Sequence, residues 1–66
     1  MIGVFYLPAR LNGVGFVVLL CQVFRGHIRY LPLGEAGIDS GPMIKYDTWE
    51  AAQSHADSLN QSELDA

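Results

Sequence analysis

The stretch Ala9-Arg10-Leu11-Asn12-Gly13-Val14-Gly15-Phe16 decides the reading of this chain. Asn-Gly between apolar residues is the strongest short-range hairpin signal, because a type I′ turn needs positive φ at both central positions. A two-residue loop also sets register. Leu11 then faces Val14, Arg10 faces Gly15, Ala9 faces Phe16, Pro8 faces Val17, Leu7 faces Val18 and Tyr6 faces Leu19. Opposed residues of an antiparallel pair alternate between hydrogen-bonded and non-hydrogen-bonded sites. Counting from the closing pair puts Pro8 at a non-hydrogen-bonded site, its nitrogen directed away from the neighbour, as an edge strand requires.

The same count at Arg25-Gly26 opposes Phe24 to His27, Gln22 to Arg29, Leu20 to Leu31 and Leu19 to Pro32. Pro32 again directs its nitrogen outward, and the segment between the two turns holds no proline. This pattern predicts a three-stranded antiparallel meander in order 1-2-3. Residues 34–42 read as a turn-rich loop, and Met43 to Tyr46 as either a short fourth strand or the lead-in to a helix. Asp47 as N-cap with Glu50 at N3 marks the helix start. Trp49, Ala52, Ala56 and Leu59 then recur on one helical stripe. The expected fold is α+β: residues 1–60 form a single β-β-β-α domain, and residues 61–66 a frayed tail.

The chain has 66 residues, 50% of them apolar and 17% charged, with a net charge of −3 and a single cysteine. Wholesale disorder is excluded by the low charge and high apolar fraction, and an internal disulfide by the cysteine count. A domain this small buries only about 60% of its unfolded surface. The pleat makes both sheet faces apolar. In the two-residue register, Phe5, Leu7, Ala9, Leu11, Val14, Phe16, Val18, Leu20, Phe24, Leu31 and Leu33 share one face, with Gln22, His27 and Arg29 toward one end. Ile2, Val4, Tyr6, Val17, Leu19, Cys21, Val23, Ile28 and Tyr30 share the other. A helix of about 14 residues, ~21 Å long and ~10 Å wide, covers only one of them. The other is expected to meet a second copy in a homodimer, or a heterologous protein, through Tyr6, Val17, Leu19, Val23 and Tyr30.

Charge is segregated. Residues 1–34 carry Arg10, Arg25 and Arg29 and no acid, whereas residues 35–66 carry seven acids against Lys45 alone. The exposed acids Glu35, Asp39, Asp47, Glu50 and Asp57 are the candidate partner-binding surface. Arg10 and Arg25, flanking Tyr6 and Tyr30, are the candidate nucleic-acid contacts, since rings on a sheet stack bases while arginines hold phosphates. The uncharged run from Leu11 to Phe24 falls short of the ~20 residues of a membrane helix. No small-residue cleavage site follows it. A cytoplasmic protein without membrane contact is expected.

Catalytic, cofactor and metal chemistry find no support. Cys21 lies among Leu19, Leu20 and Val23, where a thiol is a small buried hydrophobe rather than an accessible nucleophile. His27 and His55 lack ligand spacing, and His55 sits at the boundary of the helix stripe. The glycines at 34, 37 and 41 flank Glu35 and Asp39, which repel phosphate, and lead to Gly41-Pro42 rather than Gly-Lys-Ser/Thr.

The run Lys45-Tyr46-Asp47-Thr48-Trp49-Glu50-Ala51-Ala52, followed by Ala56 and Leu59, resembles the helix opening of HicB-type antitoxins, where a short sheet precedes a helix. The Asp-x-Pro segment those antitoxins carry is replaced here by His27-Ile28-Arg29-Tyr30-Leu31-Pro32-Leu33-Gly34. In size, acidity and want of catalytic groups the chain is similar to small phage-encoded inhibitors of bacterial defence, anti-CRISPR proteins among them. These resemblances imply a non-enzymatic protein acting by stoichiometric binding: first a phage-type inhibitor, and second a toxin-neutralising antitoxin. A sheet-surface nucleic-acid binder is the competing class.

Overall fold

The computed structural model describes residues 2–65, with side chains from Gly3 to Ser62. Ile2, assigned by sequence to one sheet face, and Ala66 of the expected tail therefore lie outside the described side chains and residues respectively. Strands β1 (Ile2–Leu11), β2 (Gly15–Phe24), β3 (His27–Gly34) and β4 (Gly37–Ile38) form an antiparallel sheet in order β1-β2-β3-β4. Helix α1 (Trp49–Asp65) packs on it. The fold is α+β, with the fourth strand inside the expected loop rather than at residues 43–46.

The second turn follows the sequence arithmetic. Phe24 opposes His27, Gln22 opposes Arg29, Leu20 opposes Leu31 and Leu19 opposes Pro32. Arg25 (φ 48°) and Gly26 (φ 82°) both take the positive φ of a type I′ loop.

The first turn does not. Leu11 pairs with Gly15, not Val14, and every β1 residue is displaced by one position: Arg10 opposes Phe16, Ala9 opposes Val17 and Tyr6 opposes Leu20. Val14 donates to the Leu11 carbonyl at 3.1 Å. Gly13 has φ 79°, Asn12 stays out of the left-handed region, and Gly15 re-enters the ladder at φ 121°. With glycine at 15 the strained angle moves off Asn12 onto a residue without a Cβ. The loop grows by one residue.

A one-residue slip turns every side chain of a strand over. Tyr6 joins Phe16 and Val18 on the helix side, while Phe5, Leu7, Ala9 and Leu11 join Val17, Leu19 and Cys21 on the other. The helix-side core is Val18, Ala52 and Ala56, flanked by Tyr6, Phe16, Leu33, Tyr46 and Leu59. Small alanines bring the helix axis close to the sheet, and Trp49 meets Phe16 edge-on at 6.4 Å. Across the sheet, Val17 is 0% and Cys21 2% exposed. With one chain present, only its own residues close them off. The second face is thus sealed at Val17 and Cys21, while Phe5, Ile28 and Tyr30 stay exposed on it.

Past Leu19 and Pro32 the neighbouring strands separate, and the 43–46 segment fills the fork. Ile44 donates to the Leu33 carbonyl (3.1 Å) and Tyr46 to that of Phe16 (2.8 Å). The helix begins one residue later than the sequence suggests. Thr48 Oγ1 accepts from the Ala51 amide at 3.1 Å, which makes Thr48 the N-cap and leaves Glu50 at N2, outside a capping box. The helix continues to Asp65, through residues 61–65 that the sequence assigns to a frayed tail.

The two sheet edges differ. Tyr6 donates its amide to Asn60 Oδ1 (2.6 Å), and its carbonyl accepts from Asn60 Nδ2 (2.9 Å). Even-numbered β1 residues therefore face outward along the edge, and Pro8, two residues on, presents no N–H there. On β3 the closing pair is hydrogen-bonded to β2, so Ile28, Tyr30 and Pro32 face outward. The Pro32 carbonyl does so visibly, accepting from Asp39 at 2.7 Å.

Candidate protein interface

Helix α1 covers the end of the sheet nearest the first turn, through Phe16, Val18 and Tyr6. The opposite end, where β2 turns into β3, projects beyond it. Most of the large exposed apolar side chains gather there: Val4, Phe5, Phe24, Ile28 and Tyr30. Register sorts them by face. Phe5 opposes Cys21, which opposes Tyr30, and Val23 opposes Ile28, so one side presents Phe5, Tyr30 and Ile28 around the buried thiol. Ile28 is 59% and Tyr30 55% exposed.

The helix side of the same end sets exposed Val4 and Phe24 beside Gln22 and the basic His27 and Arg29. Gln22, Phe24, His27 and Arg29 line a hollow of about 270 Å³, formed by the two opposed pairs Gln22–Arg29 and Phe24–His27. The Arg25 guanidinium stacks over the Phe24 ring, 5.5 Å from its centroid. Arg25 and Arg29 form no ion pair with any described residue.

Each sequence-derived candidate now has a place. Of the expected partner face, Tyr30 is exposed, Leu19 and Val23 are half-buried, Val17 is sealed, and Tyr6 packs against the helix-side core. Tyr6 and Tyr30 lie on opposite sides of the sheet, and Arg10 and Arg25 at its two ends, about 30 Å apart along β2 at ~3.3 Å per residue. The stacking platform expected for nucleic acid is not assembled. Glu35, Asp39, Asp47, Glu50 and Asp57 are all exposed. Glu50 and Asp57, seven residues apart, fall on one outward line of α1, while Glu35 stands in the β3–β4 turn and Asp39 just past β4.

Cys21 is buried and free. His55 is half-buried and hydrogen-bonded through Nδ1 to the Tyr46 hydroxyl, and burial pushes the Tyr46 phenol above its ordinary value. That pair ties the helix to the fork segment. Among the described residues no three His, Cys, Asp or Glu side chains group as metal ligands, and no helix is long and apolar enough to cross a membrane.

Phe5, Phe24, Ile28 and Arg29 are candidate interface residues that the sequence did not single out. The signal was the helix stripe itself: its large contacts reach only the first-turn half of β2, which leaves the other half bare. Comparison with protein-family models, curated proteins and solved structures returns no match.

Proposed function

We propose that this chain is a non-enzymatic protein-interaction module that acts by stoichiometric binding through the β2–β3 end of its sheet. The supporting observation is the concentration of Phe5, Ile28 and Tyr30 on one side of that end, beside unpaired Arg25 and Arg29. Exposed apolar groups rimmed by charge mark interaction sites on small soluble domains. Inhibition of a defence protein in the manner of a small phage inhibitor is the specific form that the likeness in size, acidity and want of catalytic groups favours, with neutralisation of a toxin by a HicB-like antitoxin the second. The acidic line Glu50–Asp57 is its second contact surface, and it disfavours nucleic acid as the partner. A heterologous partner is preferred to a second copy, because Arg25 and Arg29 at this end would meet their own like charges across a twofold axis and are better matched by an acidic surface.

Co-isolation from cells expressing the tagged chain tests this reading. One protein should accompany the chain at fixed stoichiometry by light scattering. It should be lost when Ile28→Glu and Tyr30→Glu are combined in a variant that keeps the native circular dichroism. Glu50→Lys with Asp57→Lys should weaken the same complex. Absence of a fixed-stoichiometry partner, or retention on DNA that falls steeply with salt, overturns the proposal.

A further inference from the structure

We infer that the outer edge of β3, from Gly26 to Tyr30, takes up an extended acidic segment of the partner protein as an added strand. The inference rests on the interaction-module reading and specifies its partner's chemistry. Three observations carry it.

First, the edges are treated unequally. An open strand edge is a template for another chain, and natural sheets blunt it. On β1 the outward groups of Tyr6 are bound by Asn60, and Pro8 has no N–H. On β3 the outward amides and carbonyls of Ile28 and Tyr30 meet no described group. The open window ends at Pro32, which lacks an N–H and whose carbonyl is taken by Asp39.

Second, the side chains along the window alternate in character. Ile28 and Tyr30 stand exposed on one face, while His27 and Arg29 stand on the other above the hollow shared with Gln22 and Phe24. A strand laid beside them places apolar residues against Ile28 and Tyr30, and its alternate residues against Arg29. Arg29 has no carboxylate partner of its own, so an acidic side chain there completes it. Alternating apolar and acidic residues describe the occupant.

Third, a second copy fits poorly. Twofold antiparallel pairing centred on Arg29 opposes Arg29 to Arg29. Centred on Ile28, it opposes Arg29 to His27. Centred on Tyr30, it brings Pro32 into a hydrogen-bonding position against Ile28. The first two juxtapose basic groups and the third removes a donor.

The test uses the full chain and a short peptide of alternating glutamate and valine, followed by amide NMR and hydrogen exchange. The expected result is saturable binding that slows exchange at Ile28 and Tyr30 and leaves the β1 edge unchanged. Tyr30→Pro keeps the β2–β3 ladder, because that nitrogen points outward, and should abolish binding. Arg29→Glu should weaken it about tenfold, and a lysine–valine peptide should then bind the variant instead. No binding by the glutamate peptide, equal binding by Tyr30→Pro, or a free chain whose dimer is dissolved by Tyr30→Pro each overturns the inference. If the peptide fails while Ile28→Glu with Tyr30→Glu still loses the co-isolated partner, strand addition falls and the module reading stands. If that variant keeps the partner, the module reading fails at this surface.

Discussion

The turn at Arg25-Gly26 closes over two residues, whereas the turn at Asn12-Gly13 closes over three, although asparagine suits the tighter form far better than arginine. What differs is the residue that comes next. His27 and Ile28 follow the second turn, and neither can adopt a strained angle cheaply, so the positive φ falls on Arg25. Val14 and Gly15 follow the first, and Gly15 absorbs an angle of 121°. The chain then chooses between two registers on packing grounds. The chosen one sets Tyr6 against the helix and places Ala9 beside sealed Val17. A turn motif proposes a register; the nearest alternative glycine and the core select it.

The comparison can be broken at either turn. Gly15→Val forces a branched side chain into φ 121° and should destabilise the fold most, by about 2–3 kcal/mol in urea unfolding. An unchanged midpoint would mean that the three-residue loop does not depend on this glycine. Gly26→Ala places a Cβ in the left-handed region and should cost about 1–2 kcal/mol. Arg25→Asn relieves the strain at φ 48° and should raise stability by about 0.5 kcal/mol, seen as a later denaturant midpoint. Deleting Val14, an exposed residue, should convert the first turn to the two-residue form with Leu11 still opposite Gly15. Stability should then change by no more than roughly 0.5 kcal/mol. Cross-strand nuclear Overhauser contacts between Ala9 and Val17 report the outcome, and their loss would show that Val14 itself holds the register.

Much of the architecture was legible because it rests on local rules. Strand order follows from the two turns and the placement of Pro8 and Pro32. The helix stripe follows from the spacing of Trp49, Ala52, Ala56 and Leu59, and the burial of Cys21 from its apolar neighbours. The first register was not legible, since it depends on Gly15 and on which side chains the helix prefers, a tertiary choice. The N-cap slipped by one because Asp47 and Thr48 are both good caps, and only the geometry at Ala51 separates them. The fork segment was hidden because irregular backbone that folds back on a sheet carries no period. For the candidate interface, the sequence supplied Arg25 and set Ile28 with Tyr30 on one face, but it left Phe5 on the other and Tyr6 in its place. The slip of β1 regroups them, with Phe5 beside Tyr30 and Tyr6 withdrawn.

Asn60 clasps Tyr6 across 54 positions of sequence. Synthesis runs from the amino end, so the first strand leaves the ribosome long before the residue that protects its border. Until the helix has emerged, a greasy ribbon with both margins bare must wait in the cell. A truncation or stalled translation anywhere between the first strand and residue 60 would release that ribbon permanently, and aggregation or rapid proteolysis of such fragments is the cost of guarding a strand with a helix that follows it in synthesis.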